Sequence, residues 1–583
     1  MGRRDAVGAL KQAAERTEPS APAAGVRRNF SPRLGMGGVL QAAEKRSTAV
    51  ILIPPFRSPD SNRQSVEITR NPMMTRQHAH TYDSGLGRRD FLKFVPLGAA
   101  SLGVLAHAQS APSASGIPVL GDSPQLFVDL ERVDLLEDVH QVFHSADKHP
   151  NNPVIRRTKP WENDRGTWGS VSFDAEEKTF KAWYGGSSEK THDSIPPGTK
   201  APRSVLCYAT SQDGVHWERP NLGMYEVWGT KENNVVVGDD HHLGMGHWES
   251  VRKDPLETDP QRRYKGLGWS SFDWDGPMSG IYTMTSPDGL HWTHSPEPIV
   301  HFHPRKGTHD LGPIGDAQAL MIDTAQRRYV ALLRASPNRK MSVSTDYVNW
   351  TDPRVCLRAR EGQEANTLYN HVGFNYGDRY LAFLTYFARD LHNPLLTIRL
   401  LSSRDGDHWE QIDTGRPVID VGEVGEWDRF TLMLTGAPPI RVGDKLHIYY
   451  RGMAGRHNPY EGKDSGTAGG GIGLATLRVD GFASLNADYV GGKVTTALFI
   501  TRGKELRVNV KADLGQLQAE VLDEQNFPIP GFTRDDCDPV HADSCDCAVR
   551  WKENATLGKL QDQPIRLRFY LQNARFYSFR IMA

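Results

Sequence analysis

Carboxylates and imidazoles stand at the head of five strand-like segments of this chain. Glu162 and Asp164 follow Trp161, and His247 and Glu249 flank Trp248. Asp316 precedes Ala319-Leu320-Met321-Ile322, Asn370 and His371 precede Val372-Gly373-Phe374, and Glu426 and Asp428 flank Trp427. Such side chains, brought together from different strands, can give and take protons, and a carboxyl crowded by another keeps its proton to higher pH. Trp161, Trp168, Trp248 and Trp427 lie beside them and offer flat faces for stacking. Each residue also has a plainer reading: a solvated loop charge, a strand cap, a hydrogen-bonded core histidine or a packed core Trp. No Walker loop, HExxH or CxxC pair is present, so no cofactor and no catalytic metal is expected.

A repeat fixes how such segments are spaced. The theme S-x-D-G-x-x-W runs through Ser211-Gln212-Asp213-Gly214-Val215-His216-Trp217 and Ser286-Pro287-Asp288-Gly289-Leu290-His291-Trp292. It returns at Ser403-Arg404-Asp405-Gly406-Asp407-His408-Trp409, and loosely at Ser344-Thr345-Asp346-Tyr347-Val348-Asn349-Trp350. The Trp residues are 75, 58 and 59 positions apart. Asp bonds backbone two residues on, Gly takes the positive φ of a tight turn, and Trp packs back on the strand before it. A second element precedes each copy: a strand, a turn and another strand, as in Ser170–Asp174 with Thr179–Tyr184, or Ala319–Asp323 with Arg328–Leu333. Comparable pairs stand at 250–254 with 263–269, 372–376 with 380–384, and 439–444 with 446–450. Repeats of this length, built from strands without helices, predict propeller blades, five of them between about Gln125 and Leu485.

Beyond Leu485 the theme stops. Short alternating segments such as Leu506–Val510, Leu517–Leu522 and Ile565–Leu571 predict a β-sandwich over 486–583. The expected fold is therefore all-β, a five-bladed β-propeller over 109–485 followed by a C-terminal β-sandwich. With 583 residues, the chain is long enough for both. Its net charge of −1 supplies no field for nucleic acid or an anionic membrane, so neither is an expected partner.

The first hundred residues read differently. Arg88-Arg89-Asp90-Phe91-Leu92-Lys93, the apolar run from Phe94 to Ala106 and Ala106-His107-Ala108 make a twin-arginine signal with a cleavage site over 73–108. The run is too short for a stable membrane anchor. Residues 1–72 lack any sustained period and read as disordered, an over-extended start ahead of Met73 and Met74. The expected destination is the bacterial periplasm or the medium, reached through the twin-arginine machinery. That compartment allows disulfides. Cys207 and Cys356 read as buried thiols, whereas Cys537, Cys545 and Cys547 leave a short-loop disulfide, free thiols and a site with His541 all open.

Leu126-Phe127-Val128-Asp129, Asn152-Pro153-Val154 and Pro160-Trp161-Glu162, on a propeller-plus-sandwich plan, resemble an exported bacterial group related to glycoside hydrolase families 32, 43 and 68. Trp161-Glu162-Asn163-Asp164 echoes part of the invertase-like W-x-N-D-P-N-G pattern, and no clean R-D-P or E-C signature accompanies it. The resemblance implies carboxylates at the propeller axis that cleave a glycosidic bond: one protonates the leaving oxygen and another acts on the opposite face. Carried onto this chain, Glu162, Asp316, Glu249 and Asp428 are the catalytic candidates. Asp164, Trp161, Trp168, His247, Asn370, His371, Glu426 and Trp427 are the candidates for contacting a carbohydrate substrate. The alternative is a non-catalytic carbohydrate-binding or scaffold propeller, which a pocket of aromatics and amides without an acid pair would favour.

Replacing Arg88 and Arg89 together with Lys should leave precursor in the cytoplasm, as cell fractionation would show. Unchanged export of that double variant would argue for another route.

Overall fold

The computed structural model describes residues 116–162, 169–191, 202–239, 247–270, 278–302, 314–363, 367–388, 394–457, 470–554 and 556–583. The twin-arginine segment, the stretch before it, Asp164 and Trp168 lie outside the described residues. Among the described residues the fold is all-β. Six sheets account for it, and among these residues the helical turns are short 3-10 turns such as Leu557–Leu560, with no α-helix.

Three sheets are antiparallel meanders. The first comprises Gly169–Asp174, Thr179–Thr191, Pro202–Ser211 and Val235–Val237. The second begins with His247–Lys253, Tyr264–Ser270 and Gly280–Ser286. The third comprises Ala319–Asp323, Arg328–Arg334, Arg339–Ser344 and Arg354–Leu357. A ten-stranded sheet holds two further runs. Leu368–Tyr376, Arg379–Ala388 and Leu395–Ser403 lead the fourth, while Thr431–Leu434, Lys445–Met453 and Gly471–Arg478 lead the fifth. One parallel pair, Leu396 with Thr431, joins the two runs. Asp147–Lys148 pairs with Gly471–Arg478, so a strand from the front of the chain completes the fifth run.

The repeated turn does what its residues predict. Ser211 Oγ accepts from Gly214 N–H at 2.8 Å, Asp213 accepts from the N–H groups of Val215 and His216 at 2.8 Å, and Gly214 has φ +76°. The loose third copy carries Tyr347 at φ +64° where the others have Gly, and the Tyr347 hydroxyl donates to Gly266 O of the second meander at 2.6 Å. Other repeat residues join neighbouring runs in the same way. Trp183 Nε1 donates to Gly289 O at 2.7 Å and the Tyr449 hydroxyl to Gly214 O at 2.8 Å, so the fifth run touches the first.

Residues from both ends of the chain share two further sheets of six strands each. In one, Asp543–Ala548, Glu505–Lys511, Ala574–Met582, Ala483–Ala487 and His140–Phe143 lie side by side, and Gln125–Leu126 pairs with Ala574–Met582. In the other, Pro564–Gln572 lies beside Gly492–Thr496, which pairs with Val133–Glu137. Phe127, Phe499, Phe569, Phe576 and Phe579 fill the core of these sheets. Residues 119–143, expected with the repeats, thus pair with strands beyond residue 482. All five cysteines are free thiols. A register shift between Val508 and Val510 separates Cys545 from Cys547, which pack against different cores.

The first strands of the runs are tied to one another by side-chain and backbone hydrogen bonds. Ser170 Oγ donates to Val251 O and accepts from Val251 N–H, both at 2.8 Å. Ser250 Oγ donates to Gly436 O at 2.7 Å and accepts from Leu320 N–H at 3.0 Å. Gly436 N–H donates to Gly169 O at 2.8 Å. A Cβ at Gly436 would overlap Glu249 O and Ser250 Oγ, which these bonds hold in place. Gly436→Ala should therefore cost about 1–3 kcal/mol or more of stability, read as a lower urea midpoint at unchanged slope. Gly121→Ala, where an added Cβ meets nothing within 4 Å, should leave the midpoint in place.

Candidate active site

Two of the sequence-selected carboxyls meet where the second and third meanders begin. Glu249 is 1% exposed and lies near the start of His247–Lys253. Its carboxylate accepts from Ala317 N–H at 3.2 Å and from Gln318 N–H. Asp316 is one-third exposed and is ion-paired with Arg334 at the end of the neighbouring strand. Between them, Ala317 has φ +70°, a left-handed conformation that costs a residue with a Cβ about 1–3 kcal/mol and persists only where its surroundings enforce it.

Arg339 enforces it. This fully buried guanidinium donates to Ala317 O at 3.1 Å, Tyr369 O at 2.6 Å, Leu332 O at 3.4 Å and His371 Nδ1 at 3.0 Å. Arg339 is thus a positioning residue: it clamps the peptide that presents N–H groups to Glu249. His371 accepts on Nδ1, which places its proton on Nε2, and burial with the adjacent Arg339 charge holds its pKa far below the usual histidine range. Neutral His371 is a member of this clamp, edge-on to Trp409. Asn370, beside it on the strand, is buried, and its Oδ1 has no hydrogen-bond partner among the described residues.

The wall around the pair is aromatic and basic. The Arg334 guanidinium lies 4.0 Å from the centroid of the Tyr369 ring, and His457 meets Tyr369 edge-on at 5.0 Å. Burial and the nearby Arg451 charge lower His457 to about 4, so it is neutral at physiological pH. Arg451 is buried on Lys445–Met453, where burial lowers its pKa to about 10. Burial pushes the Glu249 carboxyl up to about 8. The charge of Asp316 adds to that push, while the two backbone N–H groups and Arg339 oppose it without cancelling it. Glu249 therefore holds a proton through neutral pH, beside a solvent-reached carboxylate held by Arg334.

The other candidates sit in separate networks. Glu162 is 1% exposed, ion-paired with Arg219, and accepts from Thr158 N–H at 2.6 Å, Lys159 N–H at 3.0 Å and the Tyr184 hydroxyl at 2.7 Å. Its neighbour Trp161 is buried and donates to Asn234 Oδ1 at 2.9 Å. Asp428 is equally buried and accepts from the Tyr450 hydroxyl at 2.9 Å and from Lys148 at 2.8 Å. Trp427 stacks on Tyr450 with ring centroids 5.8 Å apart, and the exposed Glu426 caps its own turn by accepting from Glu423 N–H. His247 opens its strand, and its side chain lies outside the described set.

Arg334, Arg339, Arg451, Tyr369 and His457 were not selected from the sequence. For two of them a signal exists in principle: Arg334 ends the apolar segment Tyr329–Leu333, and Arg451 follows Ile448-Tyr449-Tyr450. A charge inside or ending a buried strand requires a partner.

No protein-family model matches the chain, and no curated protein matches it. Among solved structures it is similar to a glycosyl hydrolase from Bacteroides ovatus, at 13% identity and a TM-score of 0.38, covering 58% of this chain and 94% of that one. It is also similar to the catalytic domain of the Coprinopsis cinerea GH62 α-L-arabinofuranosidase, at 13% identity and a TM-score of 0.39, covering 57% and 97%. The β-1,2-mannobiose phosphorylase from Listeria innocua shares 12% identity at a TM-score of 0.37, covering 57% and 96%.

The raised carboxyl predicts how stability varies with pH. A proton held by Glu249 in the folded chain but lost in the unfolded one favours folding fully below about 4.5, and that contribution disappears as pH rises through about 8. Glu249→Gln removes the titration, at a fixed cost because an amide nitrogen cannot accept from the facing N–H. The stability of the variant relative to the parent should therefore rise between pH 5 and pH 8 by on the order of 3 kcal/mol, measured by urea unfolding. A difference that does not vary with pH would place the proton elsewhere.

Proposed function

We propose that this chain is an exported glycan-cleaving enzyme. In this reading the five runs are blades of a five-bladed β-propeller, the first strands line its funnel, and the two sheets shared by the chain ends form a β-sandwich beside it. The observation that carries the catalytic reading is the Glu249–Asp316 pair: one carboxyl kept protonated by burial, the other exposed and held by Arg334. Two nearby carboxyls with one proton between them are a means of delivering that proton at neutral pH.

In the proposed mechanism Asp316, the exposed member, meets the substrate. Glu249 is the source of the proton: it passes to Asp316 and from Asp316 to the leaving oxygen as the bond from the anomeric carbon breaks, which leaves Glu249 ionised until it is reprotonated. Water adds to that carbon, and its proton is taken up by a carboxylate. Hydrolysis needs a carboxylate on the far side of the sugar. Glu162 has both oxygens engaged and Asp428 is buried against Tyr450 and Lys148, which leaves Asp164, outside the described residues, as a sequence-selected candidate for that role. Arg339 acts by holding Ala317, and Tyr369, buried beneath the Arg334 guanidinium, backs the arginine that holds Asp316. The substrate is a carbohydrate met in the periplasm or the medium after twin-arginine export.

The test is a screen of the chain without residues 1–108 against aryl glycosides and plant or algal polysaccharides. On whichever substrate is cleaved, Asp316→Asn should reduce kcat/KM by about two or more orders of magnitude with an unchanged circular dichroism spectrum. A folded, fully active Asp316→Asn protein removes Asp316 from the reaction. A sugar that binds without being cleaved would favour the carbohydrate-binding reading.

A further inference from the structure

A cavity lies where the same first strands end. It has a volume of about 440 Å³, and all five runs contribute to its walls, among them Phe173, Arg252, Thr324, Phe374, Pro438 and Pro439. Arg252 stands three residues after Glu249 on one strand, roughly 10 Å along it at 3.3 Å per residue. The hydrogen bonds that link Ser170 with Val251, and Ser250 with Leu320 and Gly436, lie between the two levels. The cavity is therefore distinct from the Glu249–Asp316 site.

Arg252 is the unusual group in it. The side chain is 9% exposed, and its Nε is buried without a hydrogen-bond partner among the described residues. The carboxylate whose charge acts on it, Asp254, is already committed to the Tyr329 hydroxyl at 2.7 Å and to Leu256 N–H at 2.8 Å. The neighbouring cation Lys253 differs: Asp174 and Glu176 both pair with it. A buried guanidinium lacking an acceptor is costly, and its fork of N–H donors matches the two oxygens of a carboxylate. Phe173, Phe374, Ile322 and the prolines make the apolar part of the wall, with Lys253, Thr324 and Asn375 beside them. Phe173 is 40% exposed, and Pro438 and Pro439 line the same cavity from the fifth run. A cavity of this size holds one or two rings.

We propose that this cavity binds a ring-bearing carboxylate, with the carboxylate on Arg252 and the ring against Phe173, Phe374 and the prolines. An acidic sugar and an aromatic acid share that chemistry. The inference does not depend on the catalytic reading, because the two sites use different residues.

Isothermal titration of the folded chain with D-glucuronate, glucose and benzoate tests it. A carboxylate-bearing ring should bind saturably and glucose should not; which of the two acids binds more tightly identifies the source. Arg252→Met, close in volume, should weaken binding tenfold or more, and Asp316→Asn should leave it unchanged. Phe173→Asp, on an exposed position, should weaken it as well by placing a negative charge at the mouth, and it decides the matter if the Arg252 variant fails to fold. The proposal is overturned if neither acid binds saturably, if glucose binds as well as glucuronate, or if folded Arg252→Met binds like the parent. Binding lost in Asp316→Asn but kept in Arg252→Met would assign the acid to the other site.

Discussion

Among the described residues, the first strand of each of the first four runs is a sheet edge, with no ladder neighbour on its open side. Buried edge groups require partners, and an unpaired edge invites mispairing. Ser170 and Ser250 meet that need, each hydroxyl both donating to one neighbouring strand and accepting from one. Gly436 completes the arrangement, its N–H on Gly169 and its carbonyl on Ser250. Backbones approach this closely only where side chains are absent or small. The carboxyl of Glu249 stands one residue before Ser250, so the bonds that tie the first, second, third and fifth runs also fix the acid.

A second set of bonds joins the runs at the other strand ends. Asp174 accepts from the Tyr264 hydroxyl at 2.7 Å, Asp254 from Tyr329 at 2.7 Å and Asp323 from Tyr380 at 3.1 Å. In each case an Asp closing one first strand receives the hydroxyl of a Tyr in the next run's second strand. This is why the hairpins were legible in the sequence: the residues that make the turn and the tie recur at fixed offsets from each other. The strands from 119 to 143 carry no such local mark. Gln125–Leu126 is two residues long and finds Ser578 and Phe579 across most of the chain, a pairing set by burial of Phe127 against Phe576 rather than by any nearby turn.

Site residues were legible only in part, for a related reason. Glu162, Glu249, Asp316 and Asp428 look alike in sequence: an acid near a Trp or at the start of an apolar strand. What separates them is the supply of donors from elsewhere. Arg219 and Tyr184 reach Glu162, and Lys148 and Tyr450 reach Asp428, so both become buried structural anchors. Among the described residues Glu249 receives only backbone N–H groups, and Asp316 keeps a solvent-facing side. No spacing rule reports which distant cation will arrive at which carboxylate.

The proton on Glu249 follows from where the arginines place their donors. Arg334 and Arg339 lie around the pair, and the charge of Arg451 is felt there too; at an effective dielectric near 20, one guanidinium 4 Å away would favour the ionised carboxyl by about 4 kcal/mol. Arg334 is drawn to Asp316, and the bonds of Arg339 go to three carbonyls and His371. Arg339 therefore acts on Glu249 at a distance and through the Ala317 peptide, not as a direct partner. Two neutral N–H groups favour the carboxylate less than a contacting cation does, and complete burial outweighs them. Moving one guanidinium into contact would ionise Glu249 and leave two like charges side by side. The backbone clamp prevents that: by committing Arg339 to carbonyl oxygens it keeps Ala317 in its left-handed turn and keeps the nearest fully buried cation from taking the proton's place.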